Sequence, residues 1–265
     1  MKTIIETFTT GLLGRFGRLV VRRTKTPDMS ALVASLRPVP CGRSLVRLGP
    51  DHDGGYLVPD DLEGIVACFS PGVDRECRFE VACADRGMKV FMADRSVPGP
   101  PIHHPSFEFL HRFLGPTTDG EHVTPDDWVE GSGVGAGDLL LQMDIEGHEY
   151  ATLLSASPAL LRRFRVIVVE FHWLDQLWNR PWFGLVSQVF GKLLDSHACV
   201  HLHPNNCCGI ETTAGITVPR LMEFTFLRRD RVSPGGPRPV FPHPLDRDNT
   251  EGPTLPLPAV WRPRD

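Results

Sequence analysis

Ile65-Val66-Ala67-Cys68-Phe69-Ser70-Pro71-Gly72-Val73-Asp74 opens the part of the chain that decides the fold. Five apolar residues closed by Ser-Pro-Gly read as a short buried strand running into a tight turn. Asp74 stands where it can cap a helix carrying Phe79, Val81 and Ala84, with Gly87 as its stop. Lys89 to Ala93 is the next strand, and Asp94 closes it. The same grammar continues further on. Thr124-Pro125-Asp126-Asp127 is a helix start, with a capping hydroxyl, proline at the first position and acids in the first turn. Leu139 to Met143 ends at Asp144, and Arg165 to Val169 ends at Glu170. Trp173 to Leu194 reads as helix with a break near Pro181. Ala198 to His203 and Leu221 to Leu227 are the last strands. Uninterrupted apolar strands alternating with helices predict an α/β fold, a largely parallel sheet covered on both faces.

Composition agrees. The chain has 265 residues, 41% hydrophobic and 23% charged, with a net charge of −4. These values exclude a disordered chain, and the charge excludes a molecule built as a whole to grip nucleic acid. No stretch approaches the ~20 apolar residues of a membrane-spanning helix. Seven cysteines without a CxxC pair fit reduced thiols in a cytoplasmic protein better than a disulfide framework.

The ends differ from the middle. Residues 1–25 carry a net +5, and Ile4, Ile5, Phe8, Leu12, Phe16, Leu19 and Val20 recur at helical spacing. This basic amphipathic helix has two homes: an anionic membrane surface, or the face of its own domain or a partner subunit. Residues 231–265 hold nine prolines, which exclude helix and central strand. The expected division is therefore residues 1–30, 31–230 and 231–265.

In parallel sheets ligands bind beyond the carboxyl ends of the strands. Those ends carry Ser70 and Gly72, Asp94, Asp144 and Glu146, Glu170 and His172, then His201 and His203. Asp94 follows Gly72 by 22 residues, close to the ~20 expected of an acid that accepts ribose hydroxyls. One glycine is too few for a pyrophosphate, but enough for a nucleoside without phosphates, such as S-adenosylmethionine.

Several runs resemble the FkbM-like methyltransferases. They are Asp53-Gly54-Gly55-Tyr56, Phe69-Ser70-Pro71-Gly72-Val73, Phe79-Glu80, Met92-Ala93-Asp94, Gln142-Met143-Asp144-Ile145-Glu146-Gly147-His148-Glu149-Tyr150 and Val169-Glu170-Phe171-His172. His201-Leu202-His203-Pro204-Asn205-Asn206-Cys207 and Glu223-Phe224-Thr225-Phe226-Leu227-Arg228-Arg229 extend the likeness. The resemblance covers roughly residues 45–230. It implies a Rossmann-like class I methyltransferase sheet of seven strands, mostly parallel, with an antiparallel last hairpin. It also implies S-adenosylmethionine as donor and O-methylation of a saccharide, glycolipid or natural-product hydroxyl. Donor-binding positions would be Asp53, Ser70, Gly72, Asp94 and Asp144.

An alcohol is a poor nucleophile, so methyl transfer to it needs a base or a divalent metal. The metal-free version uses His172 or His203 as base with Glu170 beside it. The metal version draws on Asp144, Glu170, His172, His201 and His203 for Mg²⁺, Mn²⁺ or Fe²⁺. The same strand-end set would also serve a metal-dependent hydrolase of the phosphoesterase kind. A membrane-surface scaffold would explain the amphipathic N-terminus but not the strand ends.

Overall fold

The computed structural model describes residues 20–233, 235–236 and 238–263. Most of the basic amphipathic segment, residues 1–19, lies outside them. Within the rest of that segment, residues 20–25 are not helical. Arg23 pairs in a β-bridge with Asn179, and the Thr24 hydroxyl donates to the Leu177 carbonyl at 2.6 Å. Helix α1 (Thr26–Ser35) runs across the boundary expected after residue 30, and buries Met29, Leu32 and Val33 in the main core.

A hairpin follows, β1 (Leu45–Leu48) and β2 (Tyr56–Pro59). The central succession is β3 (Ile65–Pro71), α2 (Arg78–Ala84), β4 (Lys89–Ala93), β5 (Phe107–Leu110), β6 (Phe113–Leu114), β7 (His122–Val123), α3 (Pro125–Gly131), β8 (Asp138–Met143), α4 (Glu149–Ser155), α5 (Pro158–Leu161) and β9 (Phe164–Phe171). Then come a 3₁₀ turn (Leu174–Trp178), α6 (Arg180–Ser196), β10 (His197–Pro204), the hairpin β11 (Ile210–Thr213) and β12 (Ile216–Pro219), and β13 (Met222–Arg228). The break expected near Pro181 is the step from the 3₁₀ turn to α6, where the Asn179 side chain caps the new helix. Thr124 caps α3 as expected, accepting from Asp127 N at 3.2 Å.

Seven strands form one sheet in the order β10-β13-β9-β8-β3-β4-β5. β3, β4, β5, β8 and β9 are parallel neighbours, and β13 is antiparallel to both β9 and β10. Two aromatic-rich cores follow from the alternation of side chains along each strand. One, holding Phe69, Phe171, Phe190, Phe224 and Phe226, lies under α1 and α3 to α6. The other, around Cys68, Val90, Val166 and Val168, is covered by α2 and the β1–β2 hairpin.

The proline-rich end joins the first of these cores. Trp261 is fully buried against Phe224, and its indole N–H donates to the Thr217 carbonyl at 3.0 Å. Nearer its start the same segment crosses the carboxyl end of β10 and the adjacent amino end of β13, through Asp246 and Asn249. Cys207 and Cys208 are joined to each other, and the other five cysteines are free and buried. No helix among the described residues is long and apolar enough to cross a membrane.

Beneath the turn that ends β3, the Ser70 hydroxyl lies between the Glu80 carboxyl and the Gln142 amide oxygen. One hydroxyl proton cannot serve both acceptors, so Glu80 donates when it carries its own proton. Burial pushes Glu80 up to about 7, against the opposing pull of the Ser70 bond. The folded state thus binds this proton more tightly than the unfolded chain, so its stability falls as pH rises from about 4.5 through 7. The shift is worth roughly 3 kcal/mol at full development.

Two outcomes follow for thermal melts. Glu80→Gln should stabilise the protein at pH 8 by up to about 3 kcal/mol and lose that advantage near pH 5. A gain that is equal at both pH values would show that Glu80 is not protonated in the folded protein. Trp261→Ala should cost about 3–5 kcal/mol; an unchanged midpoint would mean that the C-terminal segment is not part of the packed domain.

Candidate functional site

The order of the sheet fixes where a ligand can enter. From β3 the chain moves outward to β4 and β5, then returns to place β8 on the other side of β3. The connections leave the sheet in opposite directions at that point and open a crevice at the carboxyl ends. Gly72 and Asp144 face each other across it. Gly72 has φ +86°, and a Cβ there would stand 1.7 Å from the Asp144 carbonyl oxygen. Only glycine permits this approach.

Asp94 ties the turn down. Its Oδ2 accepts from Val73 N at 3.1 Å and Asp74 N at 3.4 Å, and its Oδ1 from Ser96 N at 2.7 Å and Ser96 Oγ at 2.6 Å. The carboxylate therefore meets four donors from its own chain, and Ser96 stands where a ribose hydroxyl would bond. Asp74 does not cap α2. It takes a left-handed conformation, φ 38°, in the turn that Asp94 holds, and Cys77 is the residue that precedes the helix.

Beside the crevice, three carboxylates converge on one imidazole. His172 Nε2 is 3.2 Å from Glu146 Oε2 and 3.9 Å from Asp144 Oδ1, and His172 Nδ1 is 3.2 Å from Glu149 Oε1. Glu149 Oε1 also accepts from Ile145 N at 3.2 Å and Gly147 N at 2.9 Å, which fixes the loop after β8. The Tyr150 hydroxyl holds the other side of the cluster by donating to the His172 carbonyl. Burial pushes Asp144 up to about 7, helped by Glu146 and Glu149 and opposed by His172. Burial alone would lower His172, but Glu149, Asp144 and Glu146 together raise it.

A second row crosses the neighbouring strands. Glu223 is directly opposite Glu170 on one side and His203 on the other. Directly opposed residues share a face, and the register of β8 with β9 brings Asp144 level with Glu170. Glu170 is the penultimate residue of its strand, which runs on to Phe171. Its Oε1 accepts from Asn205 Nδ2 at 3.1 Å, while its Oε2 is buried without a partner. Burial raises Glu170 well above the usual carboxylate range, and Asp144 and Glu223 add to it.

The C-terminal segment completes this row. His201 Nε2 is 2.8 Å from Asp246 Oδ1, and His203 Nδ1 is 3.7 Å from Asp246 Oδ2. Asn249 Nδ2 donates to Glu223 Oε1 at 3.0 Å and Asp53 Oδ1 at 2.9 Å. Burial would lower His203, yet Glu223 and Asp246 outweigh it and bring it to about 9. An imidazolium cannot accept a proton, so His203 in this setting is a cation and not the base expected from the sequence.

The expected five-residue metal set is likewise divided. Asp144 and His203 stand three strand spacings apart, about 14 Å at the backbone. One ion cannot bind Asp144, Glu170, His172, His201 and His203 together. His201 and His203 belong with Asp246, and His172 belongs with Asp144. Ser70 lies under the turn instead of facing the crevice, bonded to Glu80 and Gln142. Asp53 sits at the rim through Asn249. Sequence reasoning did not assign Glu149, Glu223, Asp246 or Asn249. The first two stand in motifs already quoted, Glu149 five residues after Asp144 and Glu223 at the head of the run that ends at Arg229. The last two lie in a proline-rich stretch with no periodicity to place them.

The chain can be compared with solved structures on this footing. A precorrin-6y C5,15-methyltransferase from Geobacter metallireducens GS-15 aligns over 77% of this chain and 88% of its own, with 9% identity and a TM-score of 0.32. EvdMO1 aligns over 76% of this chain and 47% of its own, with 13% identity and a TM-score of 0.30. No curated protein matches the chain. Residues 80–196 match the family model described as the Methyltransferase FkbM domain, a span that runs from Glu80 under the glycine turn through Asp144, Glu149, Glu170 and His172. Residues 80–196, somewhat less than half of the chain, are thus similar to the FkbM methyltransferase domain.

Proposed function

We propose that the protein transfers the methyl group of S-adenosylmethionine to a hydroxyl oxygen of a saccharide, glycolipid or natural-product acceptor. The observation that carries this reading is the row of unpartnered buried polar atoms next to the switch-point crevice. Glu170 Oε2, His203 Nε2 and Asn249 Oδ1 are all without a hydrogen-bond partner. Buried polar atoms left this way cost stability unless a ligand satisfies them. Two acceptors and one donor suit a polyhydroxylated molecule, whose hydroxyls do both.

The donor belongs in the crevice between Gly72 and Asp144. The left-handed glycine gives it backbone approach, and Asp94 Oδ1 offers a bond to ribose once the Ser96 side chain turns away. In the reaction the carbon–sulfur bond breaks as the carbon–oxygen bond forms, S-adenosylhomocysteine leaves, and the hydroxyl proton passes to a base. Glu170 is placed for that task, because Oε2 is free and its raised proton affinity is what an alcohol's base requires. Trp173 is about half exposed next to His172, with its ring over Gly147. It offers an apolar platform for a sugar face. The hydrolase alternative draws on the same five residues, which the strand spacing divides between His172 with Asp144 and His201 with His203.

Calorimetric titration with S-adenosylhomocysteine should give micromolar binding. Asp94→Ala should weaken it by about 1.5–3 kcal/mol, whereas Ser96→Ala should leave it equal or tighter. Glu170→Gln should lower turnover by roughly 10²–10⁴ with S-adenosylhomocysteine affinity kept. Absence of binding, or binding indifferent to Asp94, would overturn the donor site. An equal loss of donor affinity in Glu170→Gln would remove Glu170 from the acceptor side.

A further inference from the structure

We infer that Asp144, Glu149 and His172 form a binding site for one divalent cation, with the exposed carboxylate of Glu146, 3.2 Å from His172 Nε2, closing its solvent side. The inference deepens the methyltransferase reading in what the ion would be for, but the site itself stands on its own geometry. The ligand atoms of Asp144, Glu149 and His172 lie within 4.8 Å of one another. Asp144 Oδ1 is buried and unpartnered, and Glu149, fully buried, leaves its Oε2 unpartnered. Three carboxylates around one imidazole leave a local excess of negative charge that a dication would balance.

The distances fit ligands of a shared ion better than direct bonds. Oxygen and nitrogen ligands lie about 2.0–2.2 Å from Mn²⁺ or Mg²⁺-sized ions. Two such ligands at right angles are then about 3 Å apart, and two opposite ones about 4.2 Å. The His172 Nε2 separations of 3.2 Å from Glu146 and 3.9 Å from Asp144 fall in this interval. The second is too long for a hydrogen bond. On the other ring nitrogen, Glu149 Oε1 faces Nδ1 at 3.2 Å. His172 Nδ1 is buried without a hydrogen-bond partner, so the ring nitrogen, like Glu149 Oε2, is left for an ion to satisfy.

Two backbone features shape the site. Glu146 adopts a left-handed conformation at φ 56°, and so does Trp173, at φ 55°, immediately after His172. Such conformations are costly for residues with side chains and persist where the surroundings impose them. Glu146 is 87% exposed, so the remaining coordination positions face solvent at the crevice. Two oxygens and one nitrogen with open positions suit Mn²⁺ or Fe²⁺ over an ion that demands sulfur. A cation there would polarise an acceptor hydroxyl and lower its pKa.

The test is Mn²⁺ titration of the full-length protein, followed by electron paramagnetic resonance. A single tight site with nitrogen coupling from imidazole is expected. Glu146→Gln lies on the surface and leaves the fold intact; it should weaken Mn²⁺ by about tenfold or more. His172→Gln should abolish the nitrogen coupling. Glu149→Gln removes a ligand charge and should weaken Mn²⁺ by at least about 10–100-fold. His203→Gln should leave Mn²⁺ affinity unchanged. Failure to bind Mn²⁺ in the millimolar range, or equal affinity in wild type and Glu146→Gln, would overturn the site. S-adenosylhomocysteine titration of the same samples in EDTA separates the two readings: donor binding without Mn²⁺ binding would sink the metal site and leave the methyltransferase reading standing.

Discussion

The contact between Gly72 and the Asp144 carbonyl is the constraint from which the rest of the site follows. Two parallel strands leave the sheet side by side, and their connections part in opposite directions. Any side chain at Gly72 would force the ends of β3 and β8 away from each other. Because they can meet, the Asp94 carboxylate reaches the amides of the glycine turn from β4, and the loop after β8 folds back onto His172 from β9. Ser70, Glu80 and Gln142 then support the same turn from below, with every polar atom spoken for inside the core. The turn is therefore rigid on the protein side and bare on the crevice side, which is the combination a nucleoside site needs.

The row of carboxylates is a different sort of feature, because it is held against electrostatic cost. Glu170 and Glu223 stand directly opposite each other and are both nearly fully buried. Like charges in that position repel across the sheet. The structure answers with amides and one cation: Asn205 on Glu170, Asn249 and His203 on Glu223. Those partners leave one Glu170 oxygen unsatisfied. Residual cost of this kind, placed beside a crevice, marks surroundings arranged for a ligand more than for stability.

Much of this was legible in the sequence, and the reason is local. The continuous runs 65–69, 89–93, 139–143 and 165–169 are buried on both faces, so their composition alone marks them as central strands. The acids that follow them report the carboxyl ends without any knowledge of register. β1 and β5 were not read, since half-buried strands carry no such continuous signal, and β2, though buried, is only four residues long. Site assignments that depend on register or long-range contact were also lost. Glu223 matters only because β13 inserts between β9 and β10. His203 looked like a base as long as its surroundings were unknown. Its partner Asp246 lies 43 residues further on, in a stretch whose prolines exclude regular structure but say nothing about where the chain goes.

That proline-rich stretch repays a closer physical look. A strap crossing strand ends cannot satisfy its own amides with a ladder, so each buried N–H would need an individual partner. Proline removes the donor and fixes φ, which lowers both that demand and the entropy lost on docking. Such a segment can lie flat over a polar site while fastened at few points. Here the fastenings include Trp261 in the core at one end, Asp246 and Asn249 over the site at the other, and between them the Asn206 amide, which donates to the Thr250 and Gly252 carbonyls. Asp246 lies against both His201 and His203, and after Glu223 it is what raises His203. Burial would raise its carboxyl, yet bonds from His201 and then His203 hold it well below the usual range. The strap thereby adds to the proton affinity of His203. The chemistry at the end of β10 depends in part on a segment that neither strand pattern nor the matched domain, residues 80–196, includes.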